Sequence, residues 1–447
     1  MNHAAQLAEI MPTRLEGSVV HTVGMAVAVA GFPAPVGALA RIERQAGPPL
    51  DAEVVGFKDQ LTLLYPLDDL SGVRHGNRVT LRRTSRWVRV GDELLGRVIN
   101  ARGQAVDGDA QPLLPERVPL ERKPPMPMDR PKIDAPLTTG IRVIDGLLTC
   151  GKGQRMGIFA GSGVGKSVLL GMMARYTSAD VNVIALIGER GREVREFIER
   201  DLGPHGLAKS VVVVATSDEP ALVRVRAALL ATAIAEYFRD QRKDVLLVMD
   251  SLTRFALAQR EIGLATGEPP TTRGYPPSVF AMLPRLVERA GRSPSGSITG
   301  FYSVLVEGDD HNEPIADCVR GLLDGHTWLS RGLAGKGHYP AVDVLQSISR
   351  LASEVSPRPQ LDAANAVREL LAAYSDHEDL ISIGAYRRGA NRTVDASIDL
   401  REPILQFLKQ RVDEPSSVEH ARTALLALKQ QIGQKLEGEV KAKNTSP

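Results

Sequence analysis

Gly161, Ser162, Gly163, Val164, Gly165, Lys166 and Ser167 follow directly on the apolar run Ile158, Phe159 and Ala160. Glycines let a backbone turn its N–H groups inward, so this stretch can cradle phosphate oxygens. Lys166 would then reach the β- and γ-phosphates, and the Ser167 hydroxyl would meet Mg²⁺. Ala160 stands where the phosphate-loop pattern carries its first glycine, but the Gly-Lys-Ser end that touches phosphate and metal is intact. Two acidic positions complete the chemistry. Asp250 closes the apolar run 245–249, which sets its carboxylate at the carboxyl end of a sheet, where open α/β folds bind ligands. There it can hold Mg²⁺ through water, alongside Ser167. Glu189 and Arg190 follow the apolar run 181–187, and hydrolysis of ATP needs what they offer: a carboxylate to polarise water and a cation for γ-phosphate oxygens. Glu189 is the expected general base, while Arg192 and Arg195 read as the exposed start of a helix.

These groups need rigid elements behind them. Apolar β-branched runs at 181–187, 211–215 and 245–249 alternate with helical periodicity, as over 222–241, so the core is expected to be a parallel sheet covered on both faces. Further strands are expected at 298–306 and around Trp328. With 447 residues, two or three domains are required. Short β-rich runs broken by Gly and Pro predict a small barrel over 16–90, a linker over 91–135, the nucleotide-binding core over 136–355 and a helical domain over 356–440. Ala4, Leu7, Met11 and Leu15 fall at helical spacing and predict a short segment over 1–15, either a docking element or a locally packed tail.

Composition excludes several classes. A net charge of +2 gives no basic field for nucleic acid, and the barrel lacks the interleaved aromatic and basic residues that stacking on bases needs. Cys150 and Cys318 are too few and too far apart for a disulfide framework, which points to a reducing cytoplasm. No apolar run is long enough to span a bilayer, so any membrane association is expected to be peripheral.

The blocks 160–167, 188–197 and 250–255 resemble the catalytic subunits of rotary ATP synthases, and 340–349 is similar to that superfamily's interface signature. More narrowly, 258–263, 273–280 and 306–317 resemble the ATPase of flagellar and type III secretion export, and 383–386 lean toward its flagellar branch. The resemblance implies a RecA-like P-loop core with parallel sheet, a small N-terminal β-barrel and a C-terminal helical domain, assembled as a homohexamer. It implies ATP hydrolysis that energises export of flagellar proteins, cytoplasmic and peripheral at the inner-membrane export apparatus. A stator-like regulator, a central stalk protein, export chaperones with cargo, and the export gate are the implied partners. By the same resemblance Lys166 and Ser167 contact phosphate and Mg²⁺, Glu189 is the catalytic glutamate, Arg190 binds phosphate, Asp250 is the strand-end aspartate, and Arg350 reaches into the neighbouring subunit's site. An injectisome ATPase, a ring subunit that binds nucleotide without turnover and an RNA-translocating hexamer are the alternatives. Relatives commonly stack an aromatic residue on adenine, but residues 411–417 hold none, so the adenine contact has no expected residue.

Overall fold

The computed structural model describes residues 15–306 and 313–444, with side chains to 436. The segment expected over 1–15 falls outside these residues apart from Leu15, as do positions 307–312 of the export-type block. Six antiparallel strands close a barrel: Glu16–Val23, Ala26–Ala30, Leu61–Pro66, Leu50–Lys58, Leu39–Ile42 and Arg78–Arg83, in that order around it. Alternation turns Val27, Val29, Ile42, Val54 and Leu64 inward, each fully buried, and closure leaves no edge strand. Trp87–Val90 lies beyond the barrel, paired with Glu116–Pro119 in a two-stranded sheet.

Residues 91–135 are not the plain tether that their turn residues suggest. Val98–Asn100 pairs in parallel with the strand Ser210–Thr216 and forms one edge of the central sheet. Three residues are too few for periodicity to announce a strand. The Pro-rich stretch after Glu121 does run without regular structure apart from a single turn at Pro127–Asp129.

Among the described residues the central sheet has nine strands. From the edge they run Val342–Ser349, Gly325–Leu329, Arg155–Ala160, Ser297–Leu305, Asp244–Asp250, Val181–Glu189, Ser210–Thr216 and Val98–Asn100, with Gly291–Arg292 pairing off this path. Its interior strands are parallel and buried along almost their whole length, as expected of strands covered on both faces. The expectation of parallel pairing fails at one edge, where Val342–Ser349 runs antiparallel to Gly325–Leu329. Between them only the short helix Arg331–Gly335 intervenes, so the chain turns back beside the strand it has just left.

Helix Ala221–Asp240 is buried along almost its whole length, and it carries Glu236 into the core opposite Arg289. Arg289 donates from Nε and Nη2 to the two Glu236 oxygens at 2.9 and 2.8 Å, and from Nη1 to Leu120 O at 3.0 Å. A fork of this kind satisfies both charges where water cannot. Helices Arg358–Ser382, Arg392–Asp399, Arg401–Leu408 and Val418–Asn444 make the C-terminal region. Among the described residues no helix is long and apolar enough to cross a membrane.

Candidate functional site

Strand Arg155–Ala160 lies between two parallel neighbours, so its direction and height are fixed on both sides. It delivers the loop 161–165 to the carboxyl end of the sheet, where helix Lys166–Tyr176 starts. Gly163 and Gly165 adopt φ of 77° and 86°, a left-handed backbone that other residues reach only with strain. Leu169, Leu170, Met172 and Met173 bury one side of the helix, and this holds Lys166 and Ser167 at its first turn. Ser162, Gly163 and Ser167 remain exposed, free to receive phosphate oxygens.

The structure brings three of the expected groups together. Asp250, at the end of its strand, is 3% exposed and forms a close ion pair with Lys166. Its Oδ1 also accepts from Ser303 Oγ at 2.6 Å. Lys166 Nζ lies 3.7 Å from Glu189 Oε1, so two carboxylates flank one ammonium. Burial, opposed by Lys166 and assisted by Asp250 and Glu193, raises the Glu189 carboxyl to about 7. A base acts in its ionised form, so kcat/KM is expected to rise with pH through this value and level off above it. Rate profiles of the intact protein across neutral pH check this; a flat acid limb would remove Glu189 as the titrating group.

Arg190 and Arg350 lie away from these three. Arg190 is 83% exposed and sits 3.7 Å from Glu193 at the start of helix Gly191–Glu196, rather than beside Lys166. Arg350 lies at the opposite end of the sheet from its own phosphate loop. Its N–H donates to Asp324 O at 2.9 Å, and the N–H of Arg155, where the loop strand begins, donates to the Asp324 side chain at 3.0 Å. Five strand steps, roughly 17 Å, separate that level from Ala160. Arg350 therefore cannot serve the site of its own chain.

Sequence reasoning missed three further residues. The Tyr339 ring closes over the loop, 3.4 Å from where a Cβ on Gly165 would stand. With Tyr176, Val168, Met172, Pro340 and Val412 it lines a cleft of about 930 Å³ beside Gly163 and Gly165. The cleft is large enough for a nucleoside, and an aromatic ring at its wall suits a flat base. Tyr339 directly precedes the block 340–349, and that adjacency was the available signal.

Gln410, 6% exposed, ties the cleft to the C-terminal helices. Its amide donates to Gly140 O at 2.8 Å and Glu414 O at 2.6 Å, and accepts from Arg142 N at 2.7 Å. Its backbone N–H donates to Tyr339 O at 3.0 Å. The Arg254 stem packs over Gly188, 3.1 to 3.3 Å from a Cβ built there, and its Nε is buried without a hydrogen-bond partner. It places a cationic side chain against the residue that precedes Glu189.

No cluster of three or more His, Cys, Asp or Glu capable of holding a metal occurs among the described residues. A divalent ion beside Ser167 and Asp250 would complete its shell from water and phosphate oxygens, which is the coordination Mg²⁺ favours.

Comparison with known proteins agrees with this geometry. Residues 140–349 match the ATP synthase alpha/beta family, nucleotide-binding domain, and 356–427 match the T3SS EscN ATPase C-terminal domain. The flagellum-specific ATP synthase of Bacillus subtilis is 55% identical over 92% of this chain and 94% of its own length. The type 3 secretion system ATPase of Xanthomonas euvesicatoria is 52% identical over 95% and 96%. A solved structure of the assembled ATPase EscN in complex with its central stalk EscO, from enteropathogenic E. coli, superimposes with a TM-score of 0.85 at 46% identity, covering 92% of this chain and 99% of that one. The barrel, the parallel core, the phosphate loop with its two carboxylates and these likenesses together identify the chain as a P-loop ATPase belonging to the flagellum-specific and type 3 secretion ATPase family.

Proposed function

We propose that this chain hydrolyses ATP as a homohexamer and thereby energises export of flagellar proteins, with a central stalk running through the ring. The carrying observation is Glu189 3.7 Å from Lys166, its carboxyl held at about 7 by burial. Glu189 takes a proton from water as the new O–P bond forms, and the bond from γ-phosphorus to the bridging oxygen breaks, leaving its electron pair on ADP. Lys166 and Arg254 supply positive charge for the γ-phosphate oxygens, and Tyr339 with Val412 holds the base. Ser167 and, through water, Asp250 would hold Mg²⁺, which when bound would supply neutralisation of phosphate charge. Arg190, exposed in the single chain, would need to turn inward to meet phosphate.

Arg350, too far from its own loop, is assigned to the next subunit's site, where a cation in trans makes turnover depend on assembly. ATPase rate should therefore rise steeply with protein concentration as rings form, with size measured in parallel. Mixing Arg350→Ala with Lys166→Ala subunits should partly restore turnover, because some interfaces regain both groups. Absence of restoration under confirmed co-assembly would end the assignment in trans. A stator-like regulator, export chaperones with cargo and the export gate complete the proposed partners, with the ring peripheral at the cytoplasmic side of the inner membrane.

A second reading, an ATPase of a virulence-type injectisome, is favoured by the 52% identity to the Xanthomonas protein, close to the 55% of the Bacillus one. Loss of filament assembly on gene deletion, with effector secretion intact, would select the flagellar reading. Glu189 argues against a subunit that binds nucleotide without turnover.

A further inference from the structure

Strand Ser297–Leu305 runs between the strand that carries the phosphate loop and the strand that ends on Asp250. Ser303 lies beside Ile158 of the first, one step past the pairing of Tyr302 with Met249 of the second. It is fully buried, as are Phe301, Tyr302 and Val304 around it. A hydroxyl in such surroundings costs free energy unless it is bonded, and this one donates to Asp250 Oδ1 at 2.6 Å. The direction is settled, because an ionised carboxylate only accepts. Lys166 pairs with the same oxygen. Asp250 Oδ2 takes no hydrogen bond among the described residues, yet it is not sealed from solvent.

The backbone at Asp250 is held independently of the Ser303 hydroxyl. Asp250 stands in the parallel ladder opposite Leu186, and the helix that follows is tied to the central strand, where Leu305 N–H donates to Thr253 Oγ1 at 2.9 Å. What the hydroxyl sets is therefore the rotation of the carboxylate. We propose that Ser303 is a positioning residue for ATP hydrolysis, its hydroxyl fixing the Asp250 carboxylate through Oδ1 so that Oδ2 is left for a water of the Mg²⁺ shell. The terminal torsion of an aspartate is broad and roughly two-fold, so without a donor of its own the group turns with the nearest cation. Lys166 cannot be that donor throughout, because its ammonium also meets the β- and γ-phosphates. When a phosphate oxygen competes for Lys166, Ser303 is the donor that remains on Oδ1. The role depends on Asp250 holding Mg²⁺ through water, as proposed above.

The test is equilibrium binding of N-methylanthraniloyl-ADP to the full-length chain, read by fluorescence polarisation in Mg²⁺ and in EDTA. Mg²⁺ should tighten binding by the parent. Ser303→Ala should lose about tenfold of that gain while binding in EDTA stays within about twofold of the parent, as expected for one hydrogen bond to a charged group that matters only with the metal present. Its thermal midpoint should stay close to the parent's, since alanine suits the buried strand. Ser303→Thr keeps the hydroxyl and should restore the gain. Threonine adds a methyl group to a filled core, so the alanine comparison decides by itself if the threonine chain does not fold. A full Mg²⁺ gain in Ser303→Ala, or equal weakening in Mg²⁺ and in EDTA, would overturn the proposal. Asp250→Asn separates the two assignments. If it keeps the gain, Asp250 does not serve Mg²⁺ and the role of Ser303 falls with it; if it loses the gain while Ser303→Ala keeps it, the role of Ser303 falls alone.

Discussion

Glu189→Gln is expected to lower kcat by about 10³-fold, the usual loss when a positioned general base is removed. The amide keeps the shape of the side chain, so the packing beside Lys166 and Asp250 persists. Nucleotide affinity should hold or improve, because one of two carboxylates facing the incoming phosphates loses its charge. Single-turnover kinetics with equilibrium nucleotide binding separates the two effects. Turnover within a few-fold of the parent would reduce the site to nucleotide occupancy without chemistry.

Glu236→Ala is expected to destabilise the core by about 3–5 kcal/mol, because it strands the Arg289 guanidinium where both partners are only 2% exposed. By contrast, the exposed pair of Arg192 and Glu196 at 2.7 Å contributes about 0.3–0.5 kcal/mol, and its loss should pass unnoticed. The energetic difference lies in solvent access. Denaturant midpoints read by core tryptophan fluorescence measure both. Replacing the buried pair together, Glu236→Leu with Arg289→Met, should recover much of the loss, since no unpaired charge is then left inside. A single-variant cost under 1 kcal/mol would mean that water reaches the pair.

Local chemistry was the legible part of this sequence. Gly161 through Ser167, the strand ending on Asp250 and the strand leading to Glu189 each declare themselves within about ten residues, because loop, strand and terminal carboxylate are adjacent in the chain. Contacts made only by folding were not legible. Tyr339 reaches Gly165 across 174 positions (339 − 165), and Gln410 reaches Gly140 across 270. No periodicity links such pairs. The edge strand at 98–100 was too short to read, and the reversal at 342–349 followed from a brief connection rather than from residue type. Arg190 shows the converse: adjacency to Glu189 suggested a shared task, but the start of a helix turns its side chain to solvent.

The ammonium of Lys166 is gripped by Asp250, with Glu189 alongside. A triphosphate oxygen that reaches this nitrogen competes for it with two carboxylates. Added electrolyte screens the carboxylates and the triphosphate alike. Affinity at this loop should accordingly be blunted in its response to ionic strength, a tolerance that a bare lysine awaiting its first counterion would not possess.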